Sequence, residues 1–155
     1  MTDAIESRLN DLGITLPEAS AAIANYLPVA RSGGLLFVSG QLPMADGRVA
    51  WTGRLGEALD IDEGRQAARL CAINMLAQLR NALDGELDRV RRVVRLGGFV
   101  ASAEDFTAQP QVIDGASDLM VDVFGEAGRH ARAAVGVNVL PLGAAVELEG
   151  LFEAS

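Results

Sequence analysis

The last quarter of the 155-residue sequence constrains the fold most, because charged side chains stand there within strongly apolar segments. Two of these segments, 133–140 and 144–152, are predicted strands on either side of a Leu-Pro turn. Arg132 opens the first strand, and Glu147 and Glu149 lie two residues apart in the second. Because strand side chains alternate between faces, the two carboxylates share one face of the sheet and their apolar neighbours share the other.

Arg132 and Glu147 are residue types that suit a small acid substrate. An arginine can hold a carboxylate through two parallel hydrogen bonds, and a nearby glutamate can move protons or orient water. The sequence leaves other roles open: a surface ion pair for Arg132, and a solvated face or a subunit contact for Glu147. We predict a site for a small carboxylic acid if the fold brings the two groups together.

Composition and charge argue against several classes of protein. The net charge is -8, and the one basic cluster, residues 89–95, has acids close by, so we expect no nucleic-acid partner. Cys71 is the only cysteine and His130 the only histidine, which rules out an intrachain disulfide and predicts no metal site. Without a membrane-length apolar run or a signal-peptide pattern, we expect a cytoplasmic protein with no membrane partner.

The order of the predicted elements indicates an α+β fold in a single domain, residues 1–155. The elements are a short helix at 5–12, strands at 27–30 and 35–39, a helix at 61–83, a strand at 90–102, a helix at 111–124, and the two closing strands taken as a pair. This order predicts a sheet with the two main helices on one face and a short N-terminal helix. Asp60 and Glu63 resemble a capping pair for the long helix, and the apolar stripe of that helix places Cys71 in the core.

Four short motifs resemble the Rid family of enamine/imine deaminases (RidA, also called YjgF, with the older label endoribonuclease L-PSP). They are Tyr26, then Ser39-Gly40-Gln41-Leu42-Pro43, then Ala131-Arg132-Ala133-Ala134-Val135, and finally Leu140-Pro141 with Val146-Glu147-Leu148-Glu149. The resemblance covers residues 23–152. It implies a chorismate-mutase-like mixed sheet and a homotrimer with sites in the three clefts between subunits.

The resemblance also implies a role for individual residues. Arg132 is implied to pair with the carboxylate of a 2-imino or 2-enamino acid, and Glu147 to associate with water. Tyr26 and Ser39 match the tyrosine and the serine of the family's cleft, and Ser117 matches its asparagine. An imine is already electrophilic, so this chemistry needs no metal or organic cofactor.

The chain departs from the best-studied family members at the cleft. His130 stands in place of a proline, Ala134 in place of a cysteine, and Ser117 in place of the asparagine, so His130 becomes a further candidate for substrate binding. Two functions remain: hydrolysis of 2-imino acids to 2-oxo acids and ammonia, or binding of 2-oxo acids in the same cleft without turnover.

One face of the sheet is expected to be buried against other subunits of the homotrimer. The two helices cover one face, and the other needs cover because its strands are apolar on both sides. This second face should carry Leu36 and Val38, or their alternates, together with Val135 and Val137.

Overall fold

The structure is a computed structural model that describes residues 3–155. Its helices are α1 (Ala4–Asp11), α2 (Ile61–Ala82) and α3 (Gln109–Phe124). Its strands are β1 (Val29–Ser32), β2 (Leu35–Gln41), β3 (Met44–Ala45), β4 (Arg48–Val49), β5 (Val90–Ala101), β6 (Ala131–Val137) and β7 (Val146–Ala154). Short 3-10 turns at Leu87–Arg89, Gly125–Gly128 and Pro141–Gly143 join some of these elements.

Five strands form one mixed sheet in the order β1-β2-β7-β5-β6, and β3 pairs with β4 in a separate hairpin. The central strand β5 runs antiparallel to β7 and parallel to β6. Helices α2 and α3 pack together and against one face of the five-stranded sheet, where the hydrophobic core lies. The predicted α+β class, with two main helices on one face and a short N-terminal helix, is confirmed.

The predicted pairing of the two closing strands is wrong. Strand β5 lies between β6 and β7, so residues 138–145 cross from one strand to the other at the end of the sheet instead of forming a hairpin. Helix α3 provides the crossover connection that lets β6 run parallel to β5, since parallel strands cannot be joined by a tight turn. As a result, β6 is an edge strand of the sheet.

The long helix begins and packs as its sequence indicates. Asp60 accepts a hydrogen bond from the backbone N–H of Glu63, whose side chain accepts one from the backbone N–H of Asp60, so the predicted capping box is present. Cys71 is buried in the core. Burial raises the pKa of its thiol, and the negative charge of Glu147 raises it further. Cys71 is therefore a core residue, as predicted.

The two faces of the sheet differ sharply in exposure. Leu36 and Val38 point to the helix face, by which we mean the face that α2 and α3 cover, and they are buried. The opposite face, here called the open face, carries their alternates Leu35 and Phe37 as well as Val135. Phe37 is 47% exposed and Val135 is 45% exposed. The apolar residues left uncovered are thus the alternates, and not Leu36 and Val38.

Across residues 3–155, no helix combines the length and the apolar character that a membrane span needs.

Candidate functional site

Arg132, in β6, points to the helix face. Its strand partner in β5 is Leu96, a fully buried core residue. The guanidinium reaches α3, where Nη1 donates to Asp114 Oδ1 at 2.7 Å and to Ser117 Oγ at 3.2 Å. The Arg132 side chain is only 24% exposed. A charged side chain this well covered is held in one orientation by its two partners on α3.

His130 precedes β6 and links Ser117 to the loop that follows α3. Its Nδ1 lies 2.6 Å from the carbonyl oxygen of Gly128, and its Nε2 lies 2.9 Å from Ser117 Oγ. Because a carbonyl oxygen only accepts hydrogen bonds, Nδ1 must carry a proton. In the neutral ring Nε2 is then an acceptor, and the Ser117 hydroxyl donates to it. Hydrogen bonds therefore run in one direction, from Arg132 to Ser117 to His130 to Gly128.

Asp114 is a site residue that sequence reasoning missed. It lies three residues before Ser117 on α3, a spacing that puts both side chains on one side of the helix, and both bind Arg132 Nη1. Its other oxygen lies 4.0 Å from Arg65 Nη1 on α2. The i, i+3 spacing was the available signal. We call Asp114, Ser117, His130 and Arg132 the helix-face cluster.

Glu147, in β7, points to the open face. Its strand partner in β5 is Phe99, three residues beyond Leu96, the partner of Arg132. An odd separation along a regular strand puts side chains on opposite faces. Glu147 and Arg132 therefore point away from each other, on strands that β5 separates by about 10 Å.

Gly40 makes room for the Glu147 carboxylate. A Cβ built at Gly40 would collide with Glu147 Oε2, so a side chain at this point of β2 would displace the acid. Glu147 is partly buried there. This burial raises the pKa of the Glu147 carboxyl, and the negative charge of Glu149 on the same face adds to the effect. Gly40 stands in a family motif, but its steric role became visible only in the structure.

Ser39 and Tyr26 lie on the side of the molecule where β1 and β2 meet. The Ser39 hydroxyl donates to the carbonyl oxygen of Leu27 at 2.7 Å, which ties β2 to the segment that carries Tyr26. Tyr26 is 54% exposed. Ser39 also borders a depression of about 410 Å³ on the open face, whose lining includes Glu149. We call Ser39, Gly40 and Glu147, with the neighbouring Tyr26, the open-face group.

The six residues predicted for the site thus divide into two sets. Ser117, His130 and Arg132 are brought together on the helix face, whereas Tyr26, Ser39 and Glu147 lie elsewhere on the chain. The sheet stands between the two predicted catalytic side chains, so one chain does not bring Arg132 and Glu147 together. Within residues 3–155, no group of three or more His, Cys, Asp or Glu side chains is arranged to hold a metal ion.

Comparison with known proteins gives the family. A family model described as "YjgF/chorismate mutase-like, putative endoribonuclease" matches residues 6–153. The chain belongs to this family. The protein YyfA of Yersinia pestis, from the Rid protein family, has a similar structure, with a TM-score of 0.63 and 25% sequence identity over 88% of this chain and 94% of YyfA. The predicted Rid family and its chorismate-mutase-like fold are confirmed.

Two further proteins are more similar in sequence to this chain. The protein TCP17 of Trypanosoma cruzi is 52% identical over 150 residues, which are 96% of this chain and 93% of TCP17. The crystal structure of Atu1372 from Agrobacterium tumefaciens, a protein of unknown function, has a TM-score of 0.93 and is 52% identical, covering 99% of this Rid-family chain and 94% of Atu1372. Family membership therefore establishes the fold, and the reaction has to be argued from the site.

Proposed function

We propose that this Rid-family chain hydrolyses 2-imino or 2-enamino acids to 2-oxo acids and ammonia, in clefts between the subunits of a homotrimer. The observation that carries the proposal is the division of the site residues between two faces of the sheet. Arg132 on one face and Glu147 on the other are the two halves of one site, and a neighbouring copy supplies the half that each chain cannot reach.

The open face supports such an assembly. It exposes Leu35, Phe37 and Val135 together on one sheet, and an extended apolar surface of this kind is typical of a protein–protein contact. The contact joins two different surfaces, the edge next to Arg132 and the open face next to Glu147. Contacts of this heterologous type close into rings when the rotation between neighbouring subunits allows closure, and three is the number of subunits that the family resemblance implies.

Arg132 is oriented to receive a carboxylate. Within residues 3–155, its hydrogen bonds to Asp114 and Ser117 both use Nη1. The edge formed by Nε and Nη2 is therefore left for a ligand, and that edge matches the two oxygens of a carboxylate. Ser117 and His130 would contact the substrate beside this arginine, and Tyr26 and Ser39 of the neighbouring subunit would contact it from the other side.

The chemistry then follows from the structure of a 2-imino acid. Its imine carbon is bonded directly to the carboxylate that Arg132 holds, so the reacting carbon is fixed in place. Glu147 orients a water molecule that adds to this carbon, and the nitrogen takes up protons and leaves as ammonia. The raised pKa of Glu147 suits this role, because a carboxyl whose pKa lies nearer the working pH exchanges protons more effectively. No step requires a cofactor.

The test is to generate 2-aminoacrylate and other imino acids in situ and to follow their disappearance. We expect wild-type protein to accelerate hydrolysis of at least one of them well above the buffer rate. A rate equal to that in buffer for the whole panel would rule the proposal out. Light scattering at micromolar concentration should show a trimer, and a monomer would contradict the assembly.

A second candidate function is binding of 2-oxo acids in the same cleft without turnover. The departures from the best-studied family members at Ser117, His130 and Ala134 favour it, because they alter the cleft in which turnover would take place. This function predicts that 2-oxo acids raise the melting temperature by mass action, although no imine is consumed. The binding-only function would be excluded if the wild-type protein turns over an imine and Arg132→Ala abolishes that turnover.

Nuclease activity is not part of the proposal. RNA binding depends on basic residues that neutralise phosphates, and the net charge of this chain is -8. We expect no RNA cleavage by protein that has been purified free of contaminating nuclease.

A further inference from the structure

Ser117 and His130 have the geometry of a nucleophile and its base. Ser117 Oγ lies 2.9 Å from His130 Nε2, and Gly128 holds the other ring nitrogen through a 2.6 Å hydrogen bond. Serine hydrolases place a serine, a histidine and a group that orients the histidine in the same relation. Their third group is usually a carboxylate, and here the backbone carbonyl of Gly128 has its place. With Nδ1 protonated, Nε2 is free to take the proton of the serine.

Arg132 lies where it would stabilise the Ser117 oxygen as that oxygen loses its proton. Its Nη1 donates to Ser117 Oγ at 3.2 Å, so negative charge that develops on the oxygen lies beside a cation. Asp114 holds the same Nη1 at 2.7 Å and keeps the guanidinium in position. Ser117, His130 and Arg132 are all partly exposed.

The backbone around this pair is closely packed and holds it in place. Gly128 packs against α3, where any Cβ would collide with the carbonyl of Met120. Gly115, two residues before Ser117, packs in the same way against the backbone of Arg65 on α2. The loop that orients His130 and the helix that carries Ser117 therefore have fixed relative positions, which is what a reactive pair requires.

We propose that His130 activates Ser117 as a nucleophile, and that the chain hydrolyses small carboxylic esters through an acyl group carried on Ser117. Ser117 Oγ bonds to the ester carbon while its proton moves to His130 Nε2, and the departing alcohol takes that proton as its C–O bond breaks. Water then adds to the acyl carbon, His130 takes a proton from it, and that proton returns to Ser117 as the acid leaves. The reaction needs only ester and water, and it uses residues of the helix-face cluster without Glu147.

A phosphonyl fluoride provides a direct test on the unaltered protein. Ser117 Oγ should bond to phosphorus with loss of fluoride, adding one phosphonyl group per chain, and peptide mass spectrometry should locate that group on Ser117. His130→Asn removes the base and should slow the labelling by about 10²-fold. Ser32→Ala, which alters an exposed serine of β1, is the matched control and should label like wild type.

Hydrolysis of p-nitrophenyl acetate is the second measurement. Wild type and Ser32→Ala should hydrolyse it at the same rate, whereas Ser117→Ala should fall to the buffer rate with a normal melting curve. No phosphonyl adduct, an adduct on another residue, or full ester hydrolysis by Ser117→Ala would overturn the proposal. If Ser117 carries the adduct but the protein hydrolyses no imine, the result would support ester hydrolysis. Only the proposed imine hydrolysis would then be contradicted.

Discussion

The helix-face cluster and the open-face group differ in how many of their polar side chains already have hydrogen-bond partners within one chain. Arg132 donates hydrogen bonds to two side chains, and Ser117 and His130 are hydrogen-bonded to each other. Hydrogen bonds therefore already link all members of the cluster. Glu147 is positioned by packing against Gly40, and within residues 3–155 its carboxylate accepts no hydrogen bond from another side chain. In the proposed mechanism the connected cluster holds the ligand, whereas Glu147 keeps its oxygens free for water.

Arg132 should show the largest effect, because in the proposed mechanism it is the residue through which the helix-face cluster holds the substrate. We expect Arg132→Ala to lower kcat/KM for imine hydrolysis by about 10³-fold, in the range for removing one partner of a hydrogen-bonded charge pair. Arg132→Lys should also lose most activity, since an ammonium lacks the planar fork. The melting temperature should change little, because the Asp114 partner is 42% exposed. Normal turnover by Arg132→Ala would disprove the role, and an insoluble protein would indicate a structural ion pair.

Glu147→Gln should separate chemistry from binding in the open-face group. Glutamine keeps the shape of the side chain but removes proton transfer, so kcat should fall by about 10²-fold. Binding of a 2-oxo acid, measured by calorimetry, should be nearly unchanged. A large loss of binding with little change in kcat would reverse the roles of the two groups.

The same variant should be slightly more stable than wild type at neutral pH. Folding raises the pKa of Glu147 above its ordinary value of 4.5, through burial first and Glu149 second. A raised carboxyl pKa means that ionisation costs stability, and this cost appears as the pH rises from below 4.5 through the folded pKa. Glu147→Gln should therefore melt about 1–2 °C higher than wild type at about pH 7 and equally at about pH 3.5. A lower melting temperature at pH 7 would contradict this.

Gly40→Ala should disturb the open-face group without unfolding the chain. The new Cβ collides with the end of the Glu147 side chain, which can rotate away, so stability should be nearly unchanged. The displaced carboxylate should lower kcat by about 30-fold, since misplacement by about 1 Å can cost up to 10²-fold. Gly34→Ala is the matched control, because a Cβ there makes only an ordinary contact with Ala154. If Gly40→Ala and Gly34→Ala were equally active, Gly40 would have no role in the site.

Asp114→Asn should have the smallest effect, and its sign is informative. Asparagine still offers an oxygen to Arg132 but removes the negative charge that competes with a ligand carboxylate. For a pair this exposed the gain should be about 0.5–1 kcal/mol, or about 2–5-fold tighter binding of a 2-oxo acid by calorimetry. Asp118→Asn, at an acid that pairs with Arg65, is the control and should bind as wild type does. Weaker binding by Asp114→Asn would mean that Asp114 mainly orients Arg132.

Local sequence signals were sufficient to predict most of the helices and strands. They also identified most residues of the helix-face cluster and of the open-face group. The Asp60 and Glu63 pair marked the start of α2, and the apolar spacing placed Cys71 in the core, because both signals act within a few residues. Alternation along β7 correctly put Glu147 and Glu149 on one face. The motif resemblance identified the family and pointed to Arg132 and Glu147. It did not indicate that the two side chains point to opposite faces of the sheet.

The arrangement in space could not be predicted because it depends on distant parts of the chain. The packing of α3 decides which strand lies beside β6. The sequence near β6 therefore contains no local signal that β5 lies between β6 and β7. The separation of Arg132 from Glu147 follows from that strand order. Asp114 was missed for the same reason, since its role exists only because β6 lies alongside α3.

A mixing experiment tests most directly whether the two half-sites come from different copies. Arg132→Lys chains keep an intact Glu147, and Glu147→Gln chains keep an intact Arg132. When equal amounts of the two are dissociated and reassembled together, about a quarter of the clefts should combine the two intact halves. We predict that the mixture regains about a quarter of wild-type imine hydrolysis, although each variant alone is nearly inactive. A mixture no more active than its separate components would contradict a site shared between subunits.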